Sequence, residues 1–182
     1  LIRSPGVYFE APEDRTTGRR LATAKLIPDR GAWMEFETRK SDYLTLKFNR
    51  KRTVPVTILL RALAAIDDGL GSSPLSDGSD EELLELFADA DNNPDHPFIA
   101  TTIRQEPTWE VAKGRTVAEE ALIEFYRRMR PGDPATLDNA REYLMEQLFD
   151  QRRYDLERVG RYKLNQQLDL DKIVPLDHRR VT

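Results

Sequence analysis

The chain has 182 residues, 39% hydrophobic and 33% charged, with a net charge of −4 and no cysteine. That length suits one domain around one core, and the absence of cysteine excludes disulfides, thiolate metal sites and cysteine nucleophiles. No apolar run approaches the roughly 18 residues of a membrane helix, and the N-terminus lacks a signal-peptide pattern, so the expected compartment is the cytoplasm.

Taken in chain order, Leu1-Ile2-Arg3-Ser4-Pro5-Gly6 reads as the cut end of a longer chain. Residues 21–28, 32–38 and 43–48 read as strands. In the second, Met34 and Phe36 alternate with Trp33, Glu35 and Glu37; in the third, Leu44, Leu46 and Phe48 alternate with Tyr43, Thr45 and Lys47. Arg30-Gly31 and Lys40-Ser41-Asp42 supply the turns. The pattern is an antiparallel meander with one polar face, and it places Trp33 on that face.

The third strand ends in Asn49-Arg50-Lys51-Arg52, Pro55 follows, and an apolar helix over 55–66 begins at once, with Ile58, Leu59, Ala62, Leu63 and Ile66 as its stripe. Cations held between two regular elements are aimed in a fixed direction, a first pointer to nucleic acid. Residues 1–61 hold 13 Lys and Arg against 7 Asp and Glu, whereas residues 62–100 hold 10 Asp and Glu and no Lys or Arg. A basic lobe beside an acidic loop suits a nucleic-acid binder better than a uniformly acidic chain does.

Residues 67–80 are rich in Gly, Ser, Asp and Pro and read as a loop. Ser79 or Asp80 caps a short acidic helix through Phe87, residues 91–97 form turns, and Phe98–Ile103 reads as extended. Val117, Ala121 and Phe125 mark a strong helix over Thr116–Arg128, with Glu124 and Arg128 as an i,i+4 pair. Arg130-Pro131-Gly132-Asp133-Pro134 breaks it. Thr136 caps the next helix, which buries Leu137, Ala140, Leu144 and Leu148. A further helix runs from Leu156 to Leu168, and the tail from Asp169 is polar. The fold class is therefore α+β: an antiparallel β-meander in the N-terminal third, packed with several α-helices that dominate the C-terminal half.

Little in this pattern suggests catalysis. His96 and His178 are far apart and lack metal-ligand spacing. Gly69-Leu70-Gly71 has no third glycine, no preceding strand and an acidic setting, so it reads as a loop. Glu81-Glu82 and Glu119-Glu120 are adjacent pairs whose carboxylates diverge on a helix. No catalytic residue, metal site or cofactor is expected. Arg127, Arg128, Arg130, Arg152 and Arg153 sit where cations offset helix C-termini. Arg158, Arg161 and Lys163 lie on a helix and face either solvent or another subunit.

Five blocks in this order resemble the bacterial DNA-directed RNA polymerase beta subunit. They are Arg3-Ser4-Pro5-Gly6-Val7-Tyr8-Phe9, Ile27-Pro28-Asp29-Arg30-Gly31-Ala32-Trp33-Met34-Glu35-Phe36-Glu37, the basic block from Asn49 to Leu63, Tyr126-Arg127-Arg128-Met129-Arg130-Pro131-Gly132-Asp133-Pro134, and Arg153-Tyr154-Asp155-Leu156-Glu157-Arg158-Val159-Gly160-Arg161-Tyr162-Lys163-Leu164-Asn165. A weaker match joins Asp95-His96 to Pro107-Thr108. The resemblance covers residues 1–170 except 67–90, and it is specific because the order of all five blocks is kept.

The resemblance implies residues 1–9 as the end of a protrusion segment, 10–170 as the lobe, or second domain, with a variable acidic loop over 67–90, and 171–182 as a polar tail. It further implies a non-catalytic wall of the DNA cleft that contacts downstream duplex and the non-template strand. The DNA-contacting positions it implies are Arg3, Trp33, Asn49, Arg50, Lys51 and Arg52; the position of Asn49 is often aspartate in the family. The magnesium-holding aspartates of such a polymerase lie on the beta-prime subunit, so this piece alone is expected to be inert and monomeric. Its implied partners are DNA, the remaining beta subunit, beta-prime and sigma. The rival reading is a scaffold that docks sigma or regulatory factors through the acidic loop or the helices after Pro134.

Overall fold

The computed structural model describes residues 3–66, 73–170 and 174–177. Alternating side chains build a five-stranded antiparallel sheet whose spatial order follows the chain. Its strands are β1 (Gly6–Glu10), β2 (Thr23–Ile27), β3 (Met34–Thr38), β4 (Leu44–Phe48) and β5 (Thr53–Pro55). The helices are α1 (Val56–Ala64), α2 (Asp80–Leu86), α3 (Phe98–Ile103), α4 (Val117–Met129), α5 (Leu137–Leu148) and α6 (Glu157–Leu168). The α+β class and the helix-rich C-terminal half follow the sequence pattern.

The core lies between the apolar face of the sheet and the helices. Met34, Leu46 and Phe48 meet Ile58, Leu59 and Ala62 of α1 and Leu122 and Phe125 of α4, with α5 adding Ala140, Leu144 and Leu148. Phe48 and Phe125 pack edge to face with centroids 5.3 Å apart, a favoured quadrupole geometry. Helix α4 packs on α1 and α5, and α6 lies on β1.

Three local assignments differ from the sequence reading. Strand β1 occupies residues read only as the end of a neighbouring segment, and β5 adds three residues that end in the proline before α1. Phe98–Ile103 is a helix rather than an extended segment. Its β-branched residues suggest a strand, but the Asp91 carboxylate accepts the N–H groups of Phe98 (3.0 Å) and Ile99 (2.8 Å), two of the unpaired donors of a helix start. The Thr102 hydroxyl satisfies the Phe98 carbonyl at 2.6 Å, and Ile99 buries against Leu75 and Leu83. Tertiary capping and burial override propensity here.

A fully buried arginine fastens the small cluster of Leu75, Leu83 and Ile99 to the main core. The Arg61 side chain, on α1, is 0% exposed and grips both carboxylate oxygens of Glu106 at 2.7 and 2.9 Å. It also donates to Asp80 at 2.6 Å and to the Gly78 carbonyl at 2.7 Å. Burial alone would lower its pKa; the bonds to Glu106 and Asp80 outweigh that and raise it. Of the three α6 cations read as facing solvent or another subunit, Arg158 is exposed, Arg161 is buried and bonds Asn165, and Lys163 reaches Ser4.

A candidate nucleic-acid interface

The basic block forms a tight turn between β4 and β5. The Lys51 N–H donates to the Phe48 carbonyl at 3.0 Å, and both central residues have positive φ, 52° at Asn49 and 59° at Arg50. Left-handed backbone at both central positions is the pattern of a type I′ turn, and the β4–β5 register, with Lys47 opposite Thr53, leaves Arg52 as one extra residue between the turn and β5. Asparagine tolerates the left-handed region; arginine does so at a cost of about 1–2 kcal/mol. Asn49 therefore has a conformational reason to stand at this position.

The turn is fixed to its surroundings on two sides. The Asn49 N–H donates to the Trp33 carbonyl at 2.8 Å, which carries the β3–β4 ladder one step beyond the strands and sets Trp33 opposite Asn49. On the other side Lys51 Nζ donates to the Met129 carbonyl at 3.2 Å. That carbonyl lies at the C-terminal end of α4, where unpaired oxygens favour a cation. Lys51 is thus engaged in holding the hairpin against α4.

Within that frame Arg50 lies over Trp33, its guanidinium carbon 4.2 Å from the ring centroid. Trp33 is half-buried, in keeping with its place on the polar face. Arg52 is exposed and has no ion pair among the described residues. An aromatic face, a stacked guanidinium and an unpaired guanidinium are thereby gathered at one hairpin.

The approach to Trp33 is held by the loop before α6. The N–H groups of Asp29 and Arg30 donate to the Asp155 carbonyl at 2.9 and 3.1 Å, and the Asp155 N–H returns to Arg30 at 2.9 Å. Gly31 makes this possible: its φ is 122°, and a Cβ there would lie 2.7 Å from the Arg153 carbonyl oxygen.

Arg3 stands apart from this contact. The register places Gly6 opposite Ile27, and continuing it places Ile27 opposite Trp33, so Arg3 lies toward the same end of the sheet. Two strand spacings, about 10 Å, separate β1 from β3. The Arg3 guanidinium sits 5.5 Å from the Tyr8 ring, and the Tyr8 hydroxyl donates to the Ser4 carbonyl at 2.6 Å. The structure thus brings Trp33, Asn49 and Arg50 into contact, with Lys51 and Arg52 alongside and Arg3 further off. Tyr8, the Met129 carbonyl and the Asp155 loop were missed as supports; only Tyr8, an aromatic five residues after an arginine, carried any sequence signal.

A second concavity lies at the opposite end of the sheet. It encloses about 490 Å³ among Phe36, Leu44, Leu60, Phe87, Phe98 and Ile99. Among the described residues, no group of three or more His, Cys, Asp or Glu is placed to hold a metal ion. His96 instead bonds Asp42 at 2.8 Å, and Arg19 approaches the same carboxylate at 2.9 Å. The His96 bond, with help from Arg19, holds that carboxyl below its usual pKa range. None of the described helices is long and apolar enough to cross a membrane.

Residues 3–176 match the family described as RNA polymerase Rpb2, domain 2. The chain is 52% identical over 176 residues to the DNA-directed RNA polymerase subunit beta of Chloroflexus aggregans, a match that covers 92% of this chain and 14% of that protein. It is 41% identical over 184 residues to the subunit of the same name from Dehalococcoides mccartyi, covering 100% of this chain and 13% of that one. The Listeria monocytogenes subunit is 41% identical over 170 residues, covering 93% of this chain and 12% of its own length. The chain therefore spans about one seventh of the length of the curated relatives it matches.

Proposed function

The chain belongs to the RNA polymerase Rpb2 domain 2 family, the lobe of the DNA-directed RNA polymerase beta subunit, and on that premise we propose that its basic hairpin contacts single-stranded DNA within the assembled polymerase. In this reading the lobe forms one wall of the DNA cleft, Arg50 and Arg52 meet phosphates of the non-template strand, and Trp33 stacks on an unpaired base. Arg3 adds a phosphate contact from the start of β1, two strands away, toward downstream duplex. The lobe supplies position and charge; nucleotide addition belongs to a magnesium site on another subunit.

The observation that carries this reading is the Trp33–Arg50 stack beside the unpaired Arg52. An indole face serves any base, whatever the sequence, for about 1–3 kcal/mol, and a guanidinium fork matches phosphate geometry. Lys51 contributes less, because the Met129 carbonyl already holds it.

The test is a polymerase assembled with this sequence in its beta subunit and carrying Arg50→Glu and Arg52→Glu. Loss of two phosphate contacts shortens the open-complex lifetime by about tenfold, on the order of 1.4 kcal/mol. A second reading, docking of sigma or regulatory factors, draws on α2, where Leu84 and Leu86 are 44% and 43% exposed among carboxylates. An unchanged lifetime, together with factor binding weakened by charge reversal within residues 77–91, transfers the assignment to that surface.

A further inference from the structure

We infer that Arg50 is a placeholder on Trp33: its guanidinium covers the ring face that an unpaired base takes, and base entry swings it onto the neighbouring phosphate. The inference rests on the reading of this corner as a single-strand contact and adds a displacement step to it.

Three observations carry it. The first is distance. At 4.2 Å from the centroid, the Arg50 guanidinium lies at stacking separation, so a base and this group cannot share that face. The second is the rigidity of the backbone beneath it. Asn49 is bonded to Trp33, Lys51 to Phe48, and the Lys51 side chain to Met129. The segment on either side of Arg50 is pinned, and entry of a base is accommodated by the Arg50 side chain alone. The third is the weakness of its tether. Arg50 has no ion pair among the described residues and rests on the Trp33 ring. An exposed cation–π contact is weaker than a base stacked on indole, so a base displaces the guanidinium. A freed guanidinium has five donors and no carboxylate to satisfy, which suits it to a phosphate.

The backbone adds a further argument. The second central position of a type I′ turn favours glycine, and here an arginine holds φ 59°. Glycine would relax the turn, so the side chain, not the turn, gives the arginine its reason.

A placeholder makes an opposite-signed prediction for two parts of binding. Removing Arg50 weakens the phosphate part and strengthens the base part. The probe is a forked DNA with a single-stranded non-template tail, with one abasic site moved through the tail a nucleotide at a time. Binding is measured with the polymerase assembled around this beta subunit. In the wild type the ratio of abasic to intact Kd peaks at one nucleotide, and Trp33→Ala flattens that peak to about 1. In Arg50→Ala the overall Kd rises while the peak ratio grows by about two- to fivefold, the worth of an exposed cation–π contact. Arg50→Gly removes the same side chain without the positive-φ penalty and gives the same gain, which separates the effect from misfolding. A peak ratio that stays level or falls in both variants overturns the inference and makes Arg50 part of the stacking platform. A wild-type profile with no peak, unmoved by Trp33→Ala, sinks the DNA reading, and the placeholder with it.

Discussion

Arg61 and Arg52 stand nine residues apart in one basic block and have opposite fates. Arg52 faces water, while Arg61 is 0% exposed and shares its charge with Glu106, whose side chain is 1% exposed, and with Asp80, which is 53% exposed. The exposed Asp80 contact is screened and adds little; the buried Glu106 pair dominates. Arg61→Ala leaves a carboxylate buried without its partner and destabilises the fold by about 3–5 kcal/mol. Urea denaturation checks this, and Arg61→Leu combined with Glu106→Leu costs less than the two single changes summed, because the stranded charge disappears. Only half of this was legible. Arg61 follows Ile58 by three residues on an apolar helix, which hints at burial, but its partners lie 19 and 45 residues away, beyond any local pattern. The half-exposure of Trp33 was legible from strand alternation; the arginine lying over it was not, because that depends on a left-handed backbone at a residue type that disfavours it.

At the scale of elements, what the sequence revealed depended on whether the stabilising groups were local. The caps of α2, α4 and α5 are Ser79, Thr116 and Thr136, each accepting an N–H three residues on, and each is visible as a hydroxyl before an apolar run. Strand β5 is three residues long and ends in proline, so it presents almost no period to detect. Helix α3 has proline at its N-cap position, with no side-chain cap bond from it, and takes its cap from Asp91 across a turn. This makes α3 dependent on one carboxylate. Asp91→Ala removes the partner of two N–H groups and destabilises by about 1–2 kcal/mol. Hydrogen exchange localises the loss to Phe98–Ile103 and to Leu44, whose N–H is held by Thr102 Oγ1 at 2.9 Å, while the amides of α5 keep their protection. Uniform loss of protection across the chain contradicts this local account.

Across the whole molecule the basic turn and the acidic residues before α3 stand at opposite ends of strand β4, and Arg19 and Arg20 lie at the acidic end with them. Strand β4 starts beside α3 and the acidic residues that precede it, and it ends at the basic turn. Its five residues span about 14 Å at roughly 3.4 Å each. That exceeds the Debye length of about 8 Å at physiological salt, so the acidic end does not cancel the field at the hairpin, and a net charge of −4 is compatible with anion contact there. Among the described residues at this end of the sheet the cations assigned to phosphate are few, however: Arg3, Arg50 and Arg52, with Lys51 already committed to α4. Three phosphate contacts on a single strand give a log–log salt slope of about −2, at roughly −0.7 each. Such a small electrostatic contribution, without the rest of a cleft, leaves the 182-residue chain binding single-stranded DNA more weakly than micromolar at physiological salt. Fluorescence anisotropy with a labelled oligothymidine across a salt series reads both quantities, and Arg52→Ala reduces the slope by about 0.7. Micromolar or tighter binding that ignores salt requires a different surface, because three exposed guanidinium groups at one end of a sheet cannot bind DNA without releasing counterions.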